Sequence, residues 1–313
     1  MMEGMQKLLY PLTLPQRIGM ARRLARTPHR VDARVVSFGN ITAGGTGKTP
    51  AVIERVQQEL AAGNRVAVLT RGYGSARTPE PLVVPPEERD PTLWRRIGDE
   101  PALVRLRAPG VWVVKSAERV AGAMAAVAAG CNCIVMDDGF QAVSLGRDED
   151  IVLVDAARPF GNGCIVPLGT LREEPSALAR ATQVWLTRCD DARQAEETAA
   201  LVERYHRRPP ARRLVHAPVA LIRVATGEAF PLEMLRGRRI VAASAIARPD
   251  AFEHALENLG ATIQQRMRHR DHHAFAADSL PSEPWVLVTE KDAVRLDGTR
   301  ENVYALQIAL RDV

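Results

Sequence analysis

A chain of 313 residues, 25% charged and 46% hydrophobic, has the composition of a soluble globular protein long enough for two domains, which excludes a disordered or fibrous one. Its 42 Lys and Arg against 37 Asp and Glu leave a formal charge of +5, which favours acidic partners (nucleotide phosphates, nucleic acid or an anionic membrane surface) without choosing among them. The 4 cysteines show no C-x-x-C spacing, which excludes a disulfide scaffold and fits a reducing cytosol, and no run of about 18 strongly apolar residues qualifies as a transmembrane helix.

The chain opens on its basic end. Residues 1–30 set Lys7, Arg17, Arg22, Arg23, Arg26 and Arg30 against Glu3 alone, interleaved with Leu8, Leu9, Tyr10, Leu12, Ile18, Met20 and Leu24. Such a segment suits an interfacial helix whose apolar side chains meet acyl chains while its arginines meet lipid phosphates; a helix packed on the protein's own core is the other reading. Pro11 and Pro15 confine any helix mainly to the part after them. The opening MMEGMQKLLYPLTLP lacks the pattern of a secretory signal, so the chain is expected to stay in the cytoplasm.

Short apolar runs at Val35–Phe38, Val66–Thr70, Val111–Val114, Cys133–Met136, Ile151–Val154 and Val184–Thr187 alternate with helical patterns at Pro50–Ala62, Ser116–Ala129 and Ala192–His206. That alternation predicts βαβ units and a mostly parallel sheet. Pro50 suits the first turn of its helix. Residues 78–92, rich in proline and charge, predict a long loop with at most one short strand. The cysteines Cys131 and Cys133 read as buried at a strand start, with metal binding as the alternative. After RRPPARR (207–213), the run Leu214–Val224 and the turn 225–228 predict a linking hairpin. Ile240–Ala243, Asp250–Leu259, Trp285–Thr289 and Tyr304–Ile308 then suggest a smaller α/β unit.

The strongest local signal is residues 35–50, a strand, a glycine-rich turn and a helix start. Glycines let backbone N–H groups wrap phosphate oxygens, and the following helix terminus adds partial positive charge. Thr42, Gly44, Gly45, Thr46, Gly47, Lys48 and Thr49 are therefore expected to bind ATP, with Lys48 reaching the β- and γ-phosphates and the Thr49 hydroxyl binding Mg2+. The strict G-x-x-x-x-G-K-[ST] pattern is not met, since its first position falls on Thr42. Residues 44–49 instead resemble the GGxGKT loops of partitioning and metal-chaperone ATPases, with Ala43 where many of those carry a lysine.

Phosphoryl transfer also needs carboxylates for the metal and a group to take the acceptor's proton. Asp137 and Asp138 end a buried strand, where ligands of parallel sheets bind, and their adjacency predicts divergent side chains. Asp99 follows the long loop and precedes a helix, so it reads equally as an N-cap. Residues 268–273, RHRDHH, admit a zinc site or a solvated turn.

Seven segments in order resemble the tetraacyldisaccharide 4'-kinase family: GN-x-T-x-GGTGKTP at 39–50, RGYG at 71–74, GDEP at 98–101, DDGFQ at 137–141, LRE at 171–173, DHH at 271–273 and TEKDAVRL at 289–296. The resemblance implies an α/β, P-loop NTPase-like kinase domain (31–210) after a membrane-contacting segment (1–30). A β-hairpin linker (211–232) would join it to a smaller α/β domain (233–313). It also implies ATP and Mg2+ as cofactors and transfer to the 4'-hydroxyl of tetraacyldisaccharide 1-phosphate, giving lipid IVA. The partners implied are the lipid disaccharide and the cytoplasmic face of the inner membrane, with neither nucleic acid nor an obligate protein. Carried over by residue, Asp99 would be the base with His272 as its dyad partner; Asp138, Gln141 and Glu173 would join Thr49 around magnesium; Arg71, Tyr73 and Arg172 would seat the substrate. Two departures bear on substrate positioning: Ala142 stands where the family usually has histidine, and 242–249, AASAIARP, differ from its usual glycine-isoleucine pattern. The competing class is a partitioning- or chaperone-type ATPase switch binding a protein partner.

Overall fold

The computed structural model describes residues 13–73, 75–76, 78–271, 273, 276–296, 298 and 300–313. The first element is α1 (Leu14–Leu24), with Pro15 in its opening turn, where a missing N–H costs little. β1 (Arg34–Gly39) leads through the glycine turn into α2 (Lys48–Ala61). After it come β2 (Val66–Thr70), β3 (Leu82–Val84), α3 (Leu93–Ile97), α4 (Asp99–Arg107), β4 (Trp112–Lys115), α5 (Arg119–Ala128), β5 (Cys133–Met136), β6 (Glu149–Asp155) and β7 (Gln183–Thr187). The chain continues through α6 (Ala192–His206), β8 (Arg212–Arg223), β9 (Ala229–Phe230), β10 (Arg239–Ser244), α7 (Pro249–Asn258), β11 (Thr262–Arg268), β12 (Trp285–Thr289), α8 (Glu290–Val294) and β13 (Val303–Asp312).

The strands form one mixed, mostly parallel sheet in the order β11-β10-β12-β13-β8-β7-β6-β1-β5-β2-β4-β3. β1 lies parallel between β5 and β6, so the glycine turn and the Asp137-Asp138 turn leave neighbouring strands at the same edge. The inner strands are covered on both faces, which is why they read as unbroken apolar runs. Val36, Phe38, Val135 and Leu153 pack with Val52 and Val56 of α2, while Val35, Leu69, Ile134 and Met136 pack with Ala123 and Ala126 of α5.

The expected hairpin is present, since Leu221 and Ile222 of β8 pair antiparallel with Phe230 and Ala229. The main partner of β8 is nevertheless β13, antiparallel from Leu214 to Arg223, while its first residues run parallel to β7. Thus β8 carries the sheet without a break from the phosphate-loop strands to β13, β12, β10 and β11. Three elements were not anticipated, one of them the short helix α8 directly after β12. β11, TIQQRMR, is a mostly exposed edge strand without an apolar run, and α3 is a short helix at the end of the proline-rich loop.

Gly39 ends β1 against the turn after β5, where Gly139 N–H donates to Phe38 O at 2.8 Å. A Cβ on Gly39 would stand 2.5 Å from Phe140 Cβ and 2.7 Å from its backbone nitrogen. Gly39→Ala is therefore expected to lower stability by about 1–3 kcal/mol through overpacking, read as a fall in the urea midpoint at unchanged m-value; an unshifted midpoint would refute the close approach.

Candidate active site

The turn after β1 is held by side chains rather than by a regular ladder. Asn40, fully buried, donates from Nδ2 to Thr42 O (2.7 Å), while its Oδ1 accepts from Lys48 Nζ (3.1 Å). Thr42 bridges Leu171, and Ala43 N–H donates to Thr170 O (2.6 Å). On the other side Arg188 Nη2 donates to Gly45 O (2.7 Å) and Thr187 Oγ1 donates to Thr46 O (2.9 Å). Gly44 and Gly47 take φ of 117° and 81°, a region glycine enters without a Cβ penalty, and Gly47 caps α2. Helix α2 consequently starts at Lys48, two residues ahead of Pro50, and its first turn carries Thr49. The unsatisfied N–H groups and partial positive charge there suit an anion.

At the adjacent strand end, Asp137 and Asp138 meet different partners. Asp138, in the left-handed region at φ 53°, takes Arg172 Nη1 at 2.7 Å and makes an ion contact with Lys48 Nζ at 3.3 Å. Burial alone would raise its pKa, but Lys48 and Arg172 more than offset that and hold it below the ordinary value. Asp137 is buried, its Oδ1 without a hydrogen-bond partner among the described residues; burial, with Glu100 and Asp138 nearby, pushes it well up. Gln141 Nε2 donates to Asn40 O (3.1 Å) and to Glu173 Oε1 (3.0 Å), and Glu173 is ion-paired with Arg180 (2.9 Å). The residues expected around magnesium therefore share one end of the sheet, although Gln141 and Glu173 here bind each other and the framework.

The donor set suits a hard cation. The Thr49 hydroxyl and the Asp138 carboxylate would be oxygen ligands, and Oδ1 of Asp137 and of Asp138, each without a hydrogen-bond partner among the described residues, would give such an ion a place. Among the described residues no group of three or more His, Cys, Asp or Glu side chains is arranged to hold a metal alone. Magnesium characteristically binds through one or two carboxylates plus substrate phosphates, so the two facts agree. Cys133 opens β5 and Cys131 precedes it, both buried as a strand start predicts, and burial pushes the Cys133 thiol up to about 12.

Asp99 opens α4, but the cap position belongs to Gly98 at φ 101°, so the N-cap reading fails. Asp99 is 5% exposed, with Oδ2 3.4 Å from Nη1 of Arg295, itself 1% exposed. Its neighbour Glu100 is ion-paired with Lys291, and both cations come from the 289–296 segment, for which sequence reasoning assigned no role. Burial pulls the Lys291 ammonium down, but Glu100, Asp99 and Asp137 more than compensate and hold it above its ordinary value. His272 lies outside the described residues, so its pairing with Asp99 remains an expectation. Nearby, the rings of His269 and His273 stack at 4.5 Å.

Arg71 and Tyr73 are exposed on the loop after β2, which packs on the turn before α4. A Cβ on Gly72 would lie 2.8 Å from Ile97 O, and one on Gly98 2.9 Å from Tyr73 O. Beneath them lies Arg119, also missed from sequence. Burial pushes its guanidinium down to about 10, Asp137 opposes that, and it donates to Asp137 O at 3.2 Å. Asn40 was legible in the GN pair at 39–40, and Lys291 and Arg295 lie in the 289–296 segment that was singled out without a role; Arg119 and Arg188 carry no local signal.

A family model described as "Tetraacyldisaccharide-1-P 4'-kinase" (LpxK) matches residues 5–312. A protein named tetraacyldisaccharide 4'-kinase from Anaeromyxobacter dehalogenans (strain 2CP-C) is 43% identical over 287 residues, covering 86% of this chain and 74% of its own. One of the same name from Geobacter sulfurreducens is 34% identical over 315 residues, covering 97% and 87%. The crystal structure of the "apo" form of LpxK from Aquifex aeolicus in complex with ATP superimposes with a TM-score of 0.80 at 26% identity, covering 99% of this chain and 95% of that one.

His216 of β8 lies under the phosphate loop: a Cβ on Gly47 would fall 2.1 Å from its Nε2. Burial, reinforced by Arg188 and opposed by Asp190 and Asp155, pushes its pKa down to about 4. Since the unfolded chain takes this proton near 6.5 and the folded one only near 4, the stability is full above 6.5 and is lost as pH falls through that window. The stability difference between wild type and His216→Gln is expected to shrink by on the order of 1–2 kcal/mol between about pH 7 and about pH 4. Urea unfolding at each pH checks this, and a constant difference would contradict it.

Proposed function

Because the chain belongs to the tetraacyldisaccharide-1-P 4'-kinase family, we propose that it carries the γ-phosphate of ATP to the 4'-hydroxyl of tetraacyldisaccharide 1-phosphate, forming lipid IVA. As a member, the chain is an ATP-dependent kinase of lipid A biosynthesis. The observation that carries the site reading is Lys48 Nζ, at the helix start behind the glycine turn, within 3.3 Å of Asp138 on the neighbouring strand end. A cation on the phosphates and a carboxylate beside it are what charge stabilisation of phosphoryl transfer requires.

In this reading Thr42, Gly44, Gly45, Thr46, Gly47 and Thr49 cradle the triphosphate and Lys48 lies along its β- and γ-phosphates. Arg172, held at Asp138, helps Arg71 and Tyr73 seat the phosphorylated substrate. Magnesium, held by Thr49 and Asp138 with Gln141 and Glu173 behind them, supplies further charge neutralisation when bound. Asp99, oriented by His272, takes the proton of the 4'-hydroxyl as its oxygen bonds to the γ-phosphorus and the bond to the β-γ bridging oxygen breaks, releasing ADP. Arg71 and Tyr73, exposed above the site, seat the phosphorylated sugar.

The substrate is acylated, so we place the reaction at the cytoplasmic face of the inner membrane, with residues 1–30 as the contact and no obligate protein partner or nucleic acid. No helix among the described residues is long and apolar enough to cross a membrane. Leu14 (46% exposed) and Ile18 (48%) of α1 offer apolar surface beside Arg17, Arg22 and Arg23, as an interfacial contact needs. Residues 31–210 are the catalytic domain in this scheme, 211–232 the linker and 233–313 the smaller domain. A partitioning-type switch is not favoured, because the family match runs through both parts of the chain.

Incubation with magnesium, ATP and the disaccharide 1-phosphate is expected to yield a product one phosphate heavier, modified at the 4'-position by mass spectrometry; unmodified glycolipid would refute the reading. Lys48→Ala is expected to lower kcat by about 10²-fold or more. Asp99→Asn should cost roughly 10²–10⁴-fold while leaving ATP binding intact by calorimetry, and near-normal turnover would remove Asp99 from the mechanism.

A further inference from the structure

The guanidinium of Arg295 is buried where no substrate is needed to explain its presence, yet its hydrogen bonds are incomplete. Nη2 is bound to Asp292 Oδ1 (2.6 Å) and Ala245 O (3.0 Å). Nε and Nη1 have no hydrogen-bond partner among the described residues, and Nη1 faces Asp99 Oδ2 at 3.4 Å. Asp292 is immobilised in turn: it is fully buried, takes the Thr289 hydroxyl at 2.6 Å and the Ala245 N–H at 3.2 Å, and lies in α8, capped by Thr289. One edge of the guanidinium is thus clamped from the carboxyl-terminal side, and the other is aimed at Asp99.

A buried ion pair of purely structural use would be expected to satisfy its N–H groups, since each one left unmade costs about 1–3 kcal/mol. A long contact that tightens when substrate arrives is characteristic of active sites before the reactive complex forms. The other oxygen of Asp99 is also held, Oδ1 accepting the Glu100 N–H at 2.9 Å. Each carboxylate oxygen therefore has a fixed neighbour, and the orientation of the group is set from both sides.

We propose that Arg295 is a positioning residue for phosphoryl transfer, a fixed cation through which the carboxyl-terminal segment holds the Asp99 carboxylate aimed at the acceptor hydroxyl. The proposal rests on the reading of Asp99 as proton acceptor. Arg295 acts through Asp99, so its effect belongs in kcat and disappears when Asp99 is no longer a carboxylate.

The test is a double-mutant cycle on the full-length protein with saturating magnesium-ATP and the disaccharide 1-phosphate. Arg295→Gln strands the Asp292 charge, so it is paired with Asp292→Asn, and Arg295→Lys, which keeps the charge, is measured in parallel with thermal unfolding of every variant. The expected result is a fall in kcat of about 10–10²-fold for Arg295→Gln/Asp292→Asn, with KM for ATP within about twofold, and a smaller fall for Arg295→Lys. In the Asp99→Asn background either change should cost less than about twofold. Equal losses in both backgrounds, or a kcat that Arg295→Gln/Asp292→Asn leaves untouched, would overturn the proposal while leaving Asp99 as the base. Asp99→Asn with near-normal turnover would instead overturn the reading of Asp99, and this proposal with it.

Discussion

Charge placed out of water must be matched, and this constraint organises the molecule around its site. Removing a carboxylate or guanidinium from water costs several kcal/mol per ion unless a partner and hydrogen bonds replace the solvent. Asp99, Asp137, Glu173, Asp292, Arg119 and Arg295 are all buried, so each needs partners in place of solvent, from its own turn or from another segment. Glu173 meets Arg180, Asp138 meets both Lys48 and Arg172, and Asp99 and Asp292 share Arg295. A parallel sheet makes this possible: β1 and β5 end side by side, so residues far apart in sequence arrive with their charges already close.

The same constraint ties the carboxyl-terminal part to the phosphate loop. Helix α4 is gripped along its length by charges from α8 and the residue that caps it, with Asp99 facing Arg295, Glu100 facing Lys291 and Arg107 facing Glu290 at 2.6 Å. Glu290 in turn accepts the Ile308 N–H of β13 (3.0 Å), the strand that pairs along β8. The helix that presents Asp99 is therefore oriented by the last strand of the chain, through a sheet continuous from the glycine turn to β13. Exposed ion pairs contribute little, but these are partly or fully desolvated and act together, which is where such contacts fix geometry.

Legibility in the sequence followed burial and locality. The strands flanking β1 were readable because burial on both faces leaves unbroken apolar runs, and the glycine turn because its φ values require glycine at Gly44 and Gly47. β11 was not readable, being an edge strand whose TIQQRMR shows no apolar periodicity. The roles of Arg295 and Lys291 were hidden for a different reason: they depend on Asp99 and Glu100, far away in sequence, and periodicity carries no information across that distance. Arg188 was hidden too, since a non-glycine residue at φ 57° has no sequence mark. The 242–249 departure proves mild at Ala245, because Ala245 serves Asp292 and Arg295 through its backbone N–H and C=O and so asks little of its side chain.

One further connection bears on how a lipid reaches this site. Gln16 of α1 donates from Nε2 to the backbone oxygen of Arg172 at 3.1 Å, and Arg17 lies 4.0 Å from Glu174. The segment so touched is the one whose side chains hold Asp138 and Gln141, so α1 is part of the wall of the site and not a detached tether. Met20 anchors it by burial, whereas Leu14 and Ile18 are left exposed. In the membrane-bound arrangement proposed above, an acylated sugar would keep its chains in the bilayer while its hydroxyl reached the γ-phosphate, so the span from lipid surface to phosphate loop would have to be short and fixed. A helix that rests on Arg172 and leaves Leu14, Ile18 and its arginines exposed would meet that requirement in this scheme, with one hydrogen-bonded step between the exposed face and the charge network.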